Sequence, residues 1–432
     1  MGSVRPQTAA IIGGGPAGLL AAQRLSGAGV KVDVYERMPT PGLKFLIAGR
    51  GGLNLTHSEP AERFKTRYGG TVGMGDFLER FGPADVRQWA GELGVDTFVG
   101  SSKRVFPEPP LMGRAAPVLR RWLAQLQEAG VEIHTRHEWL GFDDTSTRRP
   151  PPLLVRDADG ESAMVEADAV LLAMGGASWS RLGSNGRWAP LLSDRGVHLT
   201  PLQPNNVGFQ VPWAPEYSAK YAGVPIKDVR LEFNGKTAAG DLMITRWGIE
   251  GGAVCALSSA MRDYQMETGQ AAVLHIDLKP SVKADALAAR LARPALRKSS
   301  LSSKLRKAAR LPPVAAGLIR HAAQADPAEL RDGALLAAAI KRVPLALGPH
   351  QGWADAISTS GGVSARSFAS AAPSAAGTRG APSLMLEALP GVFVAGEMLD
   401  WEAPTGGYLL TGCFSTAFAA AEQMLDWMQT RQ

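Results

Sequence analysis

Three glycines at a fixed spacing and one acid carry the first chemical signal in the chain. Gly13, Gly15 and Gly18 form G-x-G-x-x-G, and Glu36 follows 21 residues after Gly15. In this spacing the first glycine permits a tight turn, the second lets the backbone approach a pyrophosphate, and the third packs a helix against a sheet. Pro16 and Ala17 open that helix, whose free N–H groups and dipole suit phosphate oxygens. Glu36 suits the hydroxyls of an adenosine ribose. An acid there disfavours a 2′-phosphate, although Arg37 beside it keeps NADP under consideration. The spacing implies a dinucleotide and does not separate FAD from NAD.

The elements needed to position these residues are legible around them. Thr8 to Ile12 reads as a strand, Pro16 to Gly27 as a helix and Val30 to Tyr35 as a second strand, a βαβ unit. The spacing of Phe77, Leu78, Phe81, Val86, Trp89 and Leu93 predicts a helix over Met74 to Gly94. Residues 115–129 predict an amphipathic helix and Val131 to Arg136 a strand. Residues 137–167 read as a β excursion, and Ala169 to Met174 as a buried strand. The predicted organisation is an FAD- or NAD-binding domain of α/β class over 1–196, completed by 356–432. Between them lie a β-rich inserted subdomain over 197–280 and about 342–355, and a helical one over 281–341.

Three later segments could also meet a dinucleotide. Pro41 to His57 interleaves glycines, including Gly51 and Gly52, with Lys44, Arg50 and Asn54, and buries Phe45 to Ile47 among them, the pattern of an ordered functional loop. Ala173, Gly175 and Gly176 end a buried strand. In Gly396 to Gly412, Gly396 and Glu397 close a strand and Asp400 is placed to reach ribityl hydroxyls or to cap a helix. Thr405, Gly406, Gly407, Tyr408 and Leu409 then open a helix whose N-terminus would stabilise negative charge on a reduced flavin.

Composition narrows the class. Glycine (49 of 432 residues) exceeds the usual share of about 7%, and its clustering in these turns explains the surplus. Two cysteines, Cys255 and Cys413, without a CxxC pair, exclude disulfide scaffolds, zinc ribbons and dithiol redox motifs and suit a reducing cytoplasm. No metal site is expected. No apolar run reaches membrane-spanning length, so a soluble protein is expected. The net charge of +6 gathers in Arg290 to Arg310, whose leucine spacing reads as helices with a solvated basic face. Nucleic acid is therefore not the expected partner; a small molecule is.

Together, GGGPAGLLAA with Glu36, GLKFLIAGRGGLNLTH, AMGGASWSRLGSNG, TSGGVS and GEMLDWEAPTGGYLLTG resemble the aminoacetone-oxidase-like family of bacterial FAD-dependent oxidoreductases, which also contains bile-acid-reductase-like members. The resemblance runs along the entire chain. It implies a discontinuous glutathione-reductase-type Rossmann FAD-binding domain, with diphosphate at Gly13 to Gly18 and ribose at Glu36. It places the flavin near Arg50 to Asn54, Gly362, Val363, Glu397, Asp400 and Gly406 to Leu409. Gly52-Leu53-Asn54 replaces the Arg-Cys-Asn of many members, and Tyr408-Leu409 replaces Tyr-Asn. The first change removes a thiol beside the flavin and the second a polar group, so the substrates of relatives do not transfer.

The reaction this implies is hydride transfer between a small amine, ketone or enone and flavin N5, with oxygen or NAD(P)H as second partner. His57 and Tyr408 are the acid/base candidates, Tyr408 and Trp401 the candidate pocket walls, and Cys413 a thiol near a helix start. The alternatives are an FAD-containing nucleic-acid-modifying enzyme using the basic insertion, and a non-catalytic flavin-binding module.

Overall fold

Short apolar runs buried on both faces build a parallel sheet at the centre of the first unit. Its strands are β1 (Thr8–Ile12), β2 (Lys31–Glu36), β3 (Glu132–Thr135), β4 (Ala169–Leu172) and β5 (Val392–Val394), in the order β5-β4-β1-β2-β3. Every pairing is parallel: Ala9 faces Ala169, Thr8 faces Lys31, Asp33 faces Glu132 and Val170 faces Val392. The computed structural model describes residues 5–48, 52–296, 299–322, 332–369 and 382–431.

Helix α1 (Pro16–Gly27) follows the glycine turn, with Pro16 in its first turn, where the missing N–H removes no intrahelical bond. The short helix α2 (Leu43–Ala48) buries Phe45, and α3 (Ala115–Glu128) buries Val118, Leu119, Trp122 and Leu126. The last helix, α4 (Tyr408–Gln429), is rich in small residues and lets α1 approach closely. A Cβ on Gly396 would lie 2.8 Å from Ala17 Cβ, so the C-terminal segment packs directly on the first turn of α1. That approach joins the two ends of the sequence in one core.

The region expected as one helix over 74–94 forms two, Gly75–Arg80 and Pro83–Glu92. The break falls at Phe81 and Gly82, because Pro83 starts a helix better than it continues one. The β excursion is a three-stranded antiparallel sheet of Glu138–Phe142, Leu153–Arg156 and Ser162–Val165.

The chain divides into two units, residues 1–204 with 358–432, and residues 205–357. The strand Leu199–Asn205 pairs with Ser358–Val363, and residues 197–204, at the start of the expected insertion, belong to the first unit. The second unit holds a six-stranded antiparallel sheet, and its helices, including Ala284–Leu291, Pro313–Ala322 and Gly333–Lys341, share one core with it. The β-rich and helical parts, separate in the sequence reading, are thus one body: leucines such as Leu287, Leu318 and Leu336 find their apolar partners on the sheet.

Candidate functional site

The glycine turn closes on itself through contacts that exclude side chains. Gly13 has φ +107° and donates its N–H to Tyr35 O (2.9 Å), while a Cβ on it would meet Ala173 O at 2.4 Å. A Cβ on Gly18 would meet Gly13 O at 2.0 Å. Gly15 differs: a Cβ on it meets nothing within 4 Å, and no side chain caps the helix that starts there. Open space over the middle glycine, in front of uncapped N–H groups, fits a diphosphate.

Glu36 ends β2 beside this turn. Its Oε2 accepts from Gly14 N–H (2.8 Å) and its Oε1 from Met38 N–H (2.7 Å). Burial raises its pKa, and these two bonds act against that rise. Arg37 donates to Gly183 O (3.1 Å), which gives its guanidinium a partner within the chain.

Lys44, on α2, reaches Glu397 Oε2 at 2.6 Å and Ser178 Oγ at 2.7 Å. Glu397 Oε1 accepts from Thr359 N–H (2.9 Å), and Thr359 Oγ1 accepts from the N–H groups of Ala177 (2.9 Å) and Ser178 (3.2 Å). One ion pair therefore ties together four segments far apart in sequence. Thr359 lies within a quoted motif, TSGGVS, whose spacing assigns it no role.

Asp400 is buried, and its Oδ2 accepts from the hydroxyls of Thr71 and Thr200, both at 2.6 Å. It cross-links the fold and does not cap a helix. A Cβ on Gly362 (φ +127°) would meet Met398 O at 2.3 Å, and Val363 O accepts from Asp400 N–H (2.9 Å). Gly407, at φ +96°, caps α4, and a Cβ there would lie 2.5 Å from the Thr56 backbone. Thr405, Gly406 and Leu409 are half-buried around it.

The acid/base candidates lie together in a packed cluster. Tyr408 donates its hydroxyl to Glu59 Oε1 (2.5 Å), its ring stacks on His57 with centroids 5.2 Å apart, and Tyr68 donates to its carbonyl. Glu59 takes two bonds from Arg67, at 3.0 and 2.9 Å. Burial alone would raise the Glu59 carboxyl, but Arg67 and Tyr408 outweigh it and hold the group at about 2. Burial and the bond to Glu59 push the Tyr408 phenol well up. His57 Nδ1 accepts from Glu59 N–H (3.1 Å), and burial pulls the ring below the usual histidine value.

Tyr408 and Trp401 do not wall an open pocket, since both are buried and Trp401 donates to Gly396 O (2.9 Å). Cys413 is not activated: loss of water pushes its thiol up to about 12. Arg50 and Gly51 lie outside the described residues. Gly52 has φ +102°, and two residues on, Asn54 Oδ1 is buried with no hydrogen-bond partner among the described residues.

The sites of approach share one edge. Gly13 follows β1, Glu36 ends β2, Ala173 follows β4 and Gly396 lies just beyond β5, all at the carboxyl ends of parallel strands, where open α/β sheets bind ligands. Residues 7–423 match the family described as HI0933-like protein Rossmann domain. The chain belongs to the HI0933-like family.

The family's description as a Rossmann domain agrees with the parallel sheet and glycine turn of the first unit. The chain is 28% identical over 289 residues to a 3-dehydro-bile acid delta(4,6)-reductase of Clostridium scindens, covering 63% of this chain and 65% of that enzyme. It is 23% identical over 428 residues to the ribosomal RNA dihydrouridine synthase of Escherichia coli, covering 96% of this chain and 98% of that enzyme. Among solved structures it is similar to the 3-ketosteroid delta1-dehydrogenase of Sterolibacterium denitrificans, with a TM-score of 0.50 at 12% identity, covering 97% of this chain and all of that one. Among the described residues no helix is long and apolar enough to cross a membrane.

Proposed function

We propose that this HI0933-like chain binds FAD and reduces a carbon–carbon double bond conjugated to a carbonyl, with NAD(P)H as the source of reducing equivalents. The observation that carries the reading is the shared edge: four sequence-distant segments converge on the carboxyl ends of the parallel strands, with open space at Gly15. The orphaned Asn54 Oδ1 supports the fit, because a buried polar atom without a partner calls for one. The motifs quoted above support a place for the chain beside the aminoacetone-oxidase-like members.

The relatives supply the reaction class. A 3-dehydro-delta(4,6) bile acid carries, by its name, a carbonyl conjugated with carbon–carbon double bonds. Conversion of uridine to dihydrouridine saturates a ring double bond conjugated to a carbonyl. In both, one hydride and one proton add across the bond while the reductant loses two electrons. A balanced turnover here consumes NAD(P)H and a proton and yields NAD(P)+ and the saturated carbonyl compound.

When bound, FAD supplies hydride exchange at N5. The chain's own residues bind and orient. The N–H groups of the first turn of α1 and the space over Gly15 would take the diphosphate, and the Glu36 carboxylate would take the ribose. Lys44 and Glu397 hold the loops in register, and the N-terminus of α4, fixed by Gly407 and Tyr408, would offer positive dipole to negative charge on the reduced flavin. Tyr408 and His57 position this helix end, since their polar atoms are already engaged. The test is uptake of FAD by the purified protein followed by anaerobic reduction with NADH or NADPH. Absence of FAD uptake contradicts the reading.

A second reading, an RNA substrate, is favoured by the nearly full-length match to the ribosomal RNA enzyme and by the second unit's surface. There Arg290, Arg293, Arg306, Lys307 and Arg310 are exposed and form no ion pair among the described residues. Salt-dependent RNA binding lost on replacing Arg306 and Lys307 with Ala would select it; no binding would select the small molecule.

A further inference from the structure

Segment 175–188 folds back on itself beside the glycine turn. Gly186 N–H donates to Gly176 O (3.1 Å), Trp188 Nε1 donates to Gly175 O (2.8 Å), and Arg37 donates to Gly183 O (3.1 Å). These bonds fix Ser184, which is buried with 6% of its surface exposed. Its hydroxyl has no hydrogen-bond partner among the described residues. A serine hydroxyl carries one donor and two acceptor sites and is costly to leave unpaired away from water.

Its direction is fixed by its neighbours. A Cβ built on Gly175 would lie 2.9 Å from Ser184 Oγ and 3.8 Å from Glu397 Oε2, so the hydroxyl faces the gap that the absent Gly175 side chain leaves. On the other side, a Cβ on the preceding Gly183 would lie 3.7 Å from Glu36 Oε1. Ser184 thus stands between the acid that ends β2 and the Lys44–Glu397 pair, along the same strand-end edge as Gly13 and Ala173.

We infer that Ser184 is a ligand-binding residue whose hydroxyl donates to a sugar–phosphate oxygen of the bound dinucleotide. This rests on the proposal that the site holds FAD. Ser184 belongs to the segment that begins Ala173-Met174-Gly175-Gly176, yet spacing gave it no role, because the fold-back at Gly186 returns it to the turn only in three dimensions.

The test separates binding from structure by the sign of two effects. FAD affinity of the apoprotein is measured by quenching of flavin fluorescence, and the apoprotein's thermal midpoint is measured alongside, for wild type, Ser184→Ala and Ser184→Cys. Removing an unpaired buried hydroxyl should leave the apoprotein's midpoint unchanged or raise it, while Ser184→Ala weakens FAD binding about tenfold or more, the range for a hydrogen bond to a charged group. Ser184→Cys, with a weak donor of similar shape, should fall between. An unchanged FAD affinity in Ser184→Ala overturns the assignment, as does a fall in apoprotein midpoint that accounts for the weaker binding. If wild type itself takes up no FAD, the reading of the site fails first; if wild type binds and Ser184→Ala binds equally, only the Ser184 assignment fails.

Discussion

Lys44 Nζ lies 2.6 Å from Glu397 Oε2 across 353 residues of sequence, and that one contact holds the N-terminal loop to the C-terminal motif. Both side chains are shielded, with 29% and 12% exposure. Lys44→Met or Glu397→Gln leaves the other charge with reduced compensation. Each should lower the unfolding free energy by about 1–3 kcal/mol, below the fully buried range because Lys44 keeps some water. The double variant should lose less than the sum, as read by urea denaturation; strict additivity would show that the pair is not coupled.

The glycines of the turn should divide into two kinds. Gly13→Ala forces a Cβ to within 2.4 Å of Ala173 O at a positive φ and should destabilise the apoprotein by more than about 2 kcal/mol. Gly15→Ala meets nothing within 4 Å at φ −82° and should leave apoprotein stability within about 1 kcal/mol while blocking the approach of a diphosphate. Thermal melts and FAD titration of the two variants check this. Equal loss of stability in both would remove the argument that Gly15 faces a ligand.

Glu59 gives the fold an acid limit. Its carboxyl sits at about 2 against an ordinary 4.5, so its ionised form stabilises the folded chain by roughly 3 kcal/mol near neutral pH. A depressed carboxyl confers that stability fully above the unfolded value and loses it as pH falls from about 4.5 toward about 2. Glu59→Gln should therefore flatten the acid limb of stability against pH in that window. An unchanged acid limb would mean that Arg67 and Tyr408 do not hold the charge.

Cys255 and Cys413 should be inert in the native state. Loss of water pushes both thiols up to about 12, the reverse of a low-pKa nucleophile. A thiol-alkylating reagent at about pH 8 should label neither until the protein is denatured. Rapid labelling of Cys413 in native protein would restore it as a reactive group.

The architecture of the first unit is legible in the sequence because its signals are local. The glycine turn, Glu36 and the apolar run at Ala169 to Leu172 each follow from backbone clearance or strand burial within a few residues. Partnerships across the chain left no comparable signal. Nothing in the spacing pairs Asp400 with Thr71 and Thr200, or Tyr408 with Glu59 and Arg67, since these contacts arise only once the two ends of the chain join. Tyr408 and Trp401 read as pocket walls because aromatic residues near glycine turns suit that role, but both rings are consumed by packing around the start of α4. The single core of the second unit is illegible for the opposite reason: local periodicity separates strands from helices that share it.

The most direct measurement is anaerobic flavin spectroscopy on FAD-loaded protein, following the band near ~450 nm as NADPH or NADH and then a conjugated enone are added. The proposal predicts that the nicotinamide bleaches the band, that the enone restores it with formation of the saturated carbonyl compound, and that the matching saturated ketone does not. A protein that holds no FAD, or whose bleached band no conjugated carbonyl restores, would contradict it.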